Sequence, residues 1–186
     1  MDRADEQALL QAEGYLELEL PEPALEALER VGTRARTSAQ WHFLTGKALQ
    51  LRGEFARALP HLESASVQEP DNVEVYLSLG WCYKRTDQLP RAISSLLEAH
   101  RRCQQRSKSP EGALVMYNLS CYYALANHRA QTLQWLARAL KQEPGYRRMI
   151  AEETDFDKIR DDPEFQALAR PRDDDENEDD EPTFFV

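Results

Sequence analysis

Shifting this sequence along itself by 34 residues brings its apolar positions into register. Ala24, Ala58 and Ala92 coincide, as do Leu25, Leu59 and Ile93, and again Leu28, Leu62 and Leu96. Upstream, Ala12 meets Gly46 and Gly80, and Tyr15 meets Leu49 and Tyr83. A further shift of 40 carries Leu79 to Leu119, Gly80 to Ser120, Tyr83 to Tyr123, Leu96 to Leu136 and Ala99 to Ala139. The extra residues fall around the polar run QQRSKSP at 104–110. A repeat of this length constrains the fold more than any composition figure. Each unit is one supersecondary element that cannot bury its apolar face alone, so neighbouring units must stack.

Within each unit, two apolar stretches of helical period are broken near a turn residue: Gly53, Asp87 or Asn127. Small residues recur where two helices must approach closely, Gly46 and Gly80 on the first helix and Ala58 and Ala92 on the second. Leu62, Leu96 and Leu136 fill the space between units. Pro70 and Pro144 end second helices, because proline cannot continue one. The fourth unit departs at two slots, with Ser120 for glycine and Thr132 for alanine.

This pattern resembles the tetratricopeptide repeat, a helix–turn–helix unit. The second unit carries it through Gly46, Ala48, Gly53, Phe55, Ala58, Ala65 and Pro70, the third through Tyr76, Leu79, Gly80, Tyr83, Ala92 and Ala99. The stretch 115–168 is similar to the terminal group that closes many bacterial proteins of this kind, with Tyr146-Arg147, Asp155-Phe156-Asp157 and the run from Arg160 to Phe165. The resemblance implies an all-α fold, an α-solenoid of three to four helix–turn–helix repeats with C-terminal capping helices and a disordered acidic tail. The expected repeats are 5–32, 39–72, 73–106 and 113–146, with a cap at 147–170, in one domain over 1–170. Phe156, Ile159, Phe165 and Leu168 are expected to cover the end of the stack.

In such folds the first helices line a concave groove, and the resemblance maps it onto Phe43, Lys47 and Gln50, then Leu77, Trp81, Lys84 and Arg85, then Tyr117 and Cys121. The first unit contributes Leu9, Glu13 and their helical neighbours. Aromatic anchors beside cations suit an extended peptide, with apolar pockets for affinity and cations to steer an acidic partner. Phe43 and Tyr117 compete for the alternative role of packing between helices, as aromatics commonly do. Trp81 is the best single anchor, because its register neighbour is Lys47 and one core slot would not accept both. The carboxylate clamp of heat-shock co-chaperones is not expected, since Leu9 and Glu13 occupy its first-unit slots.

Charge is unevenly spread along the chain, whose net charge is −10. Residues 1–29 carry a net −8, residues 30–170 a net +5, and residues 171–186 a net −7. The run DDDENEDDE at 173–181 is too charged to collapse. It is expected to solubilise, with a sharper alternative in which tail 171–186 contacts Lys84 and Arg85 of its own chain. Arg101, Arg102, Arg106 and Lys108 are expected in a basic loop without interleaved aromatics, so no nucleic-acid partner is expected. No run is apolar enough to span a membrane, and none resembles a secretory signal. Cys82, Cys103 and Cys121 form an odd set without a C-x-x-C pair, which fits a reducing cytoplasm.

No phosphate loop, G-x-S-x-G or H-E-x-x-H motif is present, and no cofactor or metal is expected. Asp155, Asp157, Asp161 and Asp162 lack the calcium-loop glycine and are read as caps and solvated helix ends. Cys121 with His128 lacks a third orienting group. The expectation is therefore not an enzyme but a protein–protein interaction module that takes a peptide segment in its groove. The alternatives are a small secretion-type chaperone holding an unfolded client, or a regulatory subunit that self-assembles.

Overall fold

The computed structural model describes residues 2–105 and 109–171. The acidic run at 173–181, and Arg106 and Lys108 of the expected basic loop, lie outside the described residues. Among the described residues there is no strand. Four helical hairpins follow one another: α1 (Arg3–Glu17) with α2 (Pro21–Glu29), α3 (Ala39–Leu51) with α4 (Phe55–Gln68), α5 (Val73–Arg85) with α6 (Leu89–Gln104), and α7 (Gly112–Leu125) with α8 (Arg129–Gln142). The cap consists of α9 (Arg147–Ile150), α10 (Pro163–Ala169) and short 3-10 turns at Pro144–Tyr146 and Thr154–Phe156. This is the all-α, solenoid-class array that the repeat register implies. The chain divides into two compact units, 1–102 and 103–186, with the boundary in the last turn of α6.

Local chemistry starts and stops these helices. Asp2 caps α1 by accepting from the Ala4 and Asp5 amides, both at 2.9 Å, and the Asp5 carboxylate returns the bond in a capping box. Ser38 caps α3 and Asn72 caps α5 in the same manner. The hairpin turns share one geometry. The amides of Leu20, Glu54, Gln88 and His128 each donate back to the carbonyls of Tyr15, Leu49, Tyr83 and Tyr123, at 2.8–2.9 Å. The residue before each donor is left-handed: Glu19 (φ 54°), Gly53 (φ 75°), Asp87 (φ 60°) and Asn127 (φ 60°). These are four Schellman closures in register, which pair the last carbonyls of each first helix.

Unit 1 packs its hairpins through small residues. A Cβ added to Gly46 would lie 2.7 Å from Leu62 Cδ2, and one on Gly80 would lie 3.0 Å from Leu96 Cδ2. Leu62 and Leu96 are fully buried, so neither has room to retreat. Ala12, Ala24 and Leu28 occupy the matching slots of the first hairpin and belong to a core with Leu9, Val31, Leu44 and Ala48.

In unit 2 the departures from the repeat pattern are absorbed by the backbone. Ser120, fully buried, donates its hydroxyl to the Tyr117 carbonyl at 2.6 Å, and Thr132 donates to the His128 carbonyl at 3.0 Å. Each hydroxyl thereby avoids the cost of an unsatisfied buried polar group. Phe156 and Phe165 pack at 5.1 Å between ring centroids and are buried with Ile159, while Leu168 is half-buried. Asp162 caps α10 and takes Arg129 in a two-pronged pair at 2.6 and 3.1 Å. Arg160 gathers the preceding loop by donating to the carbonyls of Ile150, Ala151 and Glu153.

Candidate functional site: the α3–α5 face

Phe43, Lys47 and Gln50 on α3, and Leu77, Trp81 and Lys84 on α5, each follow the i, i+4, i+7 spacing of one helix face. All six are half-buried. The two helices touch, and their polar groups meet along the seam. Gln50 Oε1 lies 3.9 Å from the Cys82 thiol. Burial pulls the Lys47 ammonium below its usual range, while Glu74 and Cys82 across the seam work against that shift. Burial also pushes the Cys82 thiol up to about 12, despite Lys47, so it stays protonated and unreactive at neutral pH. Lys84 Nζ sits 5.4 Å from the Trp81 ring centroid, a cation over an aromatic face. The result is an apolar surface edged by ammonium groups.

Other expected groove residues are placed differently. Arg85 is exposed and stacks on Phe55 at 5.1 Å, at the start of α4. Phe43 packs in part against the core of the first hairpin, and Leu9 is only 1% exposed and belongs to that core. Tyr117 and Cys121, expected in the groove, are each 2% exposed inside unit 2. The cap is the reason. Tyr146 lies 4.9 Å and Phe156 6.0 Å from the Tyr117 ring, closing that face of α7.

The other candidates also find places. Arg101 and Arg102 belong to α6 rather than a loop, and both pair with Glu98, whose carboxyl those hydrogen bonds, Arg101's first, pull down to about 2. Asp157 pairs with Arg160 and Asp162 caps α10, so the four expected aspartates do not gather. His128 is exposed and stacks on Tyr123 at 5.8 Å. Two groupings were not anticipated. His42 and His61 face each other Nδ1 to Nδ1 at 3.2 Å, packed against Trp41, which donates to the Leu28 carbonyl. Neither histidine has a spacing signal, because the contact crosses between α3 and α4. Asp155 joins Cys121 and Glu153 in a second cluster.

Residues 49–108 match the family model for the tetratricopeptide repeat. That stretch, about a third of the chain, carries the tetratricopeptide repeat. Solved structures share its fold. MamA is 21% identical over 75% of this chain and 78% of its own, with a TM-score of 0.66. PilF from Pseudomonas aeruginosa is 19% identical over 90% and 72%, with a TM-score of 0.73. YrrB, described as a tetratricopeptide-repeat protein with an unusual peptide-binding site, is 22% identical over 72% and 66%, with a TM-score of 0.61. No curated protein matches the sequence. Among the described residues, no helix is long and apolar enough to cross a membrane.

Proposed function

We propose that this chain is an interaction module that holds an extended peptide of a partner protein on the α3–α5 face. The supporting observation is the juxtaposition of Trp81 and Leu77 with Lys47 and Lys84 on two touching helices. Such a face selects a segment that carries an apolar or aromatic side chain next to an acidic one. The peptide-binding description of YrrB supports peptide capture as a use of this fold. No reaction is assigned: Cys82 is a protonated thiol, and the groups on this face bind rather than react. We place its work in the cytoplasm, in keeping with three buried cysteines that form no disulfide.

Affinity capture with wild type, Trp81→Ala and Lys84→Glu tests the reading. Loss of a central aromatic anchor is expected to weaken the captured partner by at least about tenfold. Lys84→Glu is expected to weaken capture more at low salt than at high salt, because attraction to an approaching acidic segment is screened as salt rises. A partner retained equally by both variants would remove this face from the account. An acidic segment such as 173–181 carries the charge this face selects, so deleting 172–186 is expected to raise partner affinity.

A second reading rests on the first hairpin, where Leu10 and Leu18 are 66% and 69% exposed. Self-association through that hairpin would give a molar mass that grows with concentration, and Leu10→Glu with Leu18→Glu would abolish the growth.

A further inference from the structure

Unit 2 holds a buried grouping that the peptide-binding reading does not use. The Cys121 sulfur and carboxylate oxygens of Glu153 and Asp155 all lie within 4.8 Å of one another. Cys121 is 2% and Asp155 6% exposed, while Glu153 is half-buried. The three come from two elements. Cys121 sits on α7, and the 3-10 turn Thr154–Phe156, packed on α7, carries Asp155 beside Glu153. Glu153 Oε1 accepts from the Asp155 amide at 3.0 Å, and Arg160 holds the Glu153 carbonyl at 2.8 Å. That loop is therefore fixed in place before any ligand arrives.

A second observation points into the same space. Tyr117, one helical turn before Cys121, is 2% exposed, and its hydroxyl has no hydrogen-bond partner. An unmet hydroxyl at that depth costs about 1–3 kcal/mol unless something occupies the space it faces. Burial raises the Tyr117 phenol far above its usual value, and Cys121, Glu153 and Asp155 push the same way. The unpartnered Tyr117 hydroxyl therefore lies close to all three groups.

We infer that Cys121, Glu153 and Asp155 form a binding site for a divalent cation of the zinc class, with the Tyr117 hydroxyl hydrogen-bonded to a water in the fourth position. One thiolate and two carboxylates are accepted zinc donors, and three protein ligands leave one position for water. Ideal bond lengths place tetrahedral donors about 3.5 Å apart, so these need close by only about 1 Å on binding. The thiol proton passes to solvent as the metal–sulfur bond forms, so uptake weakens as pH falls. The sulfur donor disfavours magnesium and calcium, which take oxygen ligands.

The test uses the full chain, stripped with a chelator and titrated with Co²⁺ and then Zn²⁺. The expected result is about one equivalent bound, with a sulfur-to-cobalt charge-transfer band and displacement of cobalt by zinc. Cys121→Ser is expected to remove that band. Glu153→Gln keeps an oxygen for the Asp155 amide, so the loop survives, and metal affinity is expected to fall at least tenfold. Tyr117→Phe keeps the band and weakens binding less. Wild type that takes up no cobalt overturns the proposal, as does a charge-transfer band that persists in Cys121→Ser. Uptake unchanged by Glu153→Gln overturns it as well. None of these residues lies on the α3–α5 face, so loss of metal and loss of partner are read separately.

Discussion

Glu19 is the residue whose conformation fits its chemistry least. It takes φ 54° at the close of the first hairpin, where the third and fourth hairpins use aspartate and asparagine and the second uses glycine. Left-handed backbone costs a residue with a Cβ about 1–2 kcal/mol relative to glycine. Glu19→Gly is therefore expected to raise stability by about 1 kcal/mol, read as a higher denaturation midpoint with an unchanged slope. The histidine pair makes a pH prediction. Burial lowers both His42 and His61, and His42 and Arg57 lower His61 further. The unfolded chain then binds more protons than the folded one below about pH 6.5. Stability is full above that value and is lost as pH falls through the depressed folded values. At 3.2 Å only one ring can donate to the other, and double protonation sets two donors face to face. His61→Gln is expected to flatten the fall in denaturation midpoint between pH 7 and 5; an unchanged slope would assign it to other groups.

At the scale of the element, hairpin geometry follows from one close approach. Gly46 admits Leu62 because it has no side chain, and Gly80 does the same for Leu96. Gly46→Val is expected to overpack that crossing and cost about 1–3 kcal/mol, and Leu62→Ala about 2–5 kcal/mol through the cavity it leaves. Urea titration of each variant checks both. These slots were legible in the sequence because a small residue facing a large one repeats at a fixed interval. Gly53, Asp87 and Asn127 were legible as turns through their residue types. Glu19 was not, because glutamate is no turn residue, although it stands 34 positions before Gly53. The repeat interval was the better signal there. Tyr117 and Cys121 were misplaced for a related reason. Register with α5 puts them on a groove face, but α7 lies next to the cap, and the same face is closed by Tyr146 and Phe156.

For the whole molecule, the uneven charge acquires a structural meaning. The acidic N-terminal stretch is the first hairpin, and its Asp2 and Asp5 work as caps, with Asp5 also accepting from the Gly32 amide at 2.7 Å. Many basic residues of the middle are committed to ion pairs, Arg91 with Glu63, Arg102 with Asp71 and Glu98, and Arg129 with Asp162. The ammonium groups of Lys47 and Lys84 edge the α3–α5 face, with Lys84 over the Trp81 ring. Repeat architecture was readable from sequence because stacking demands periodicity. The His42–His61 contact and the Cys121 cluster were not, because each joins residues from separate elements with no periodic mark. Hydrogen–deuterium exchange of the full chain, alone and with its captured partner, tests the central claim most directly. Added protection is expected on α3 and α5, over 40–51 and 74–85, with little change on α4. Protection gained on α4 instead, or confined to unit 2, would contradict it.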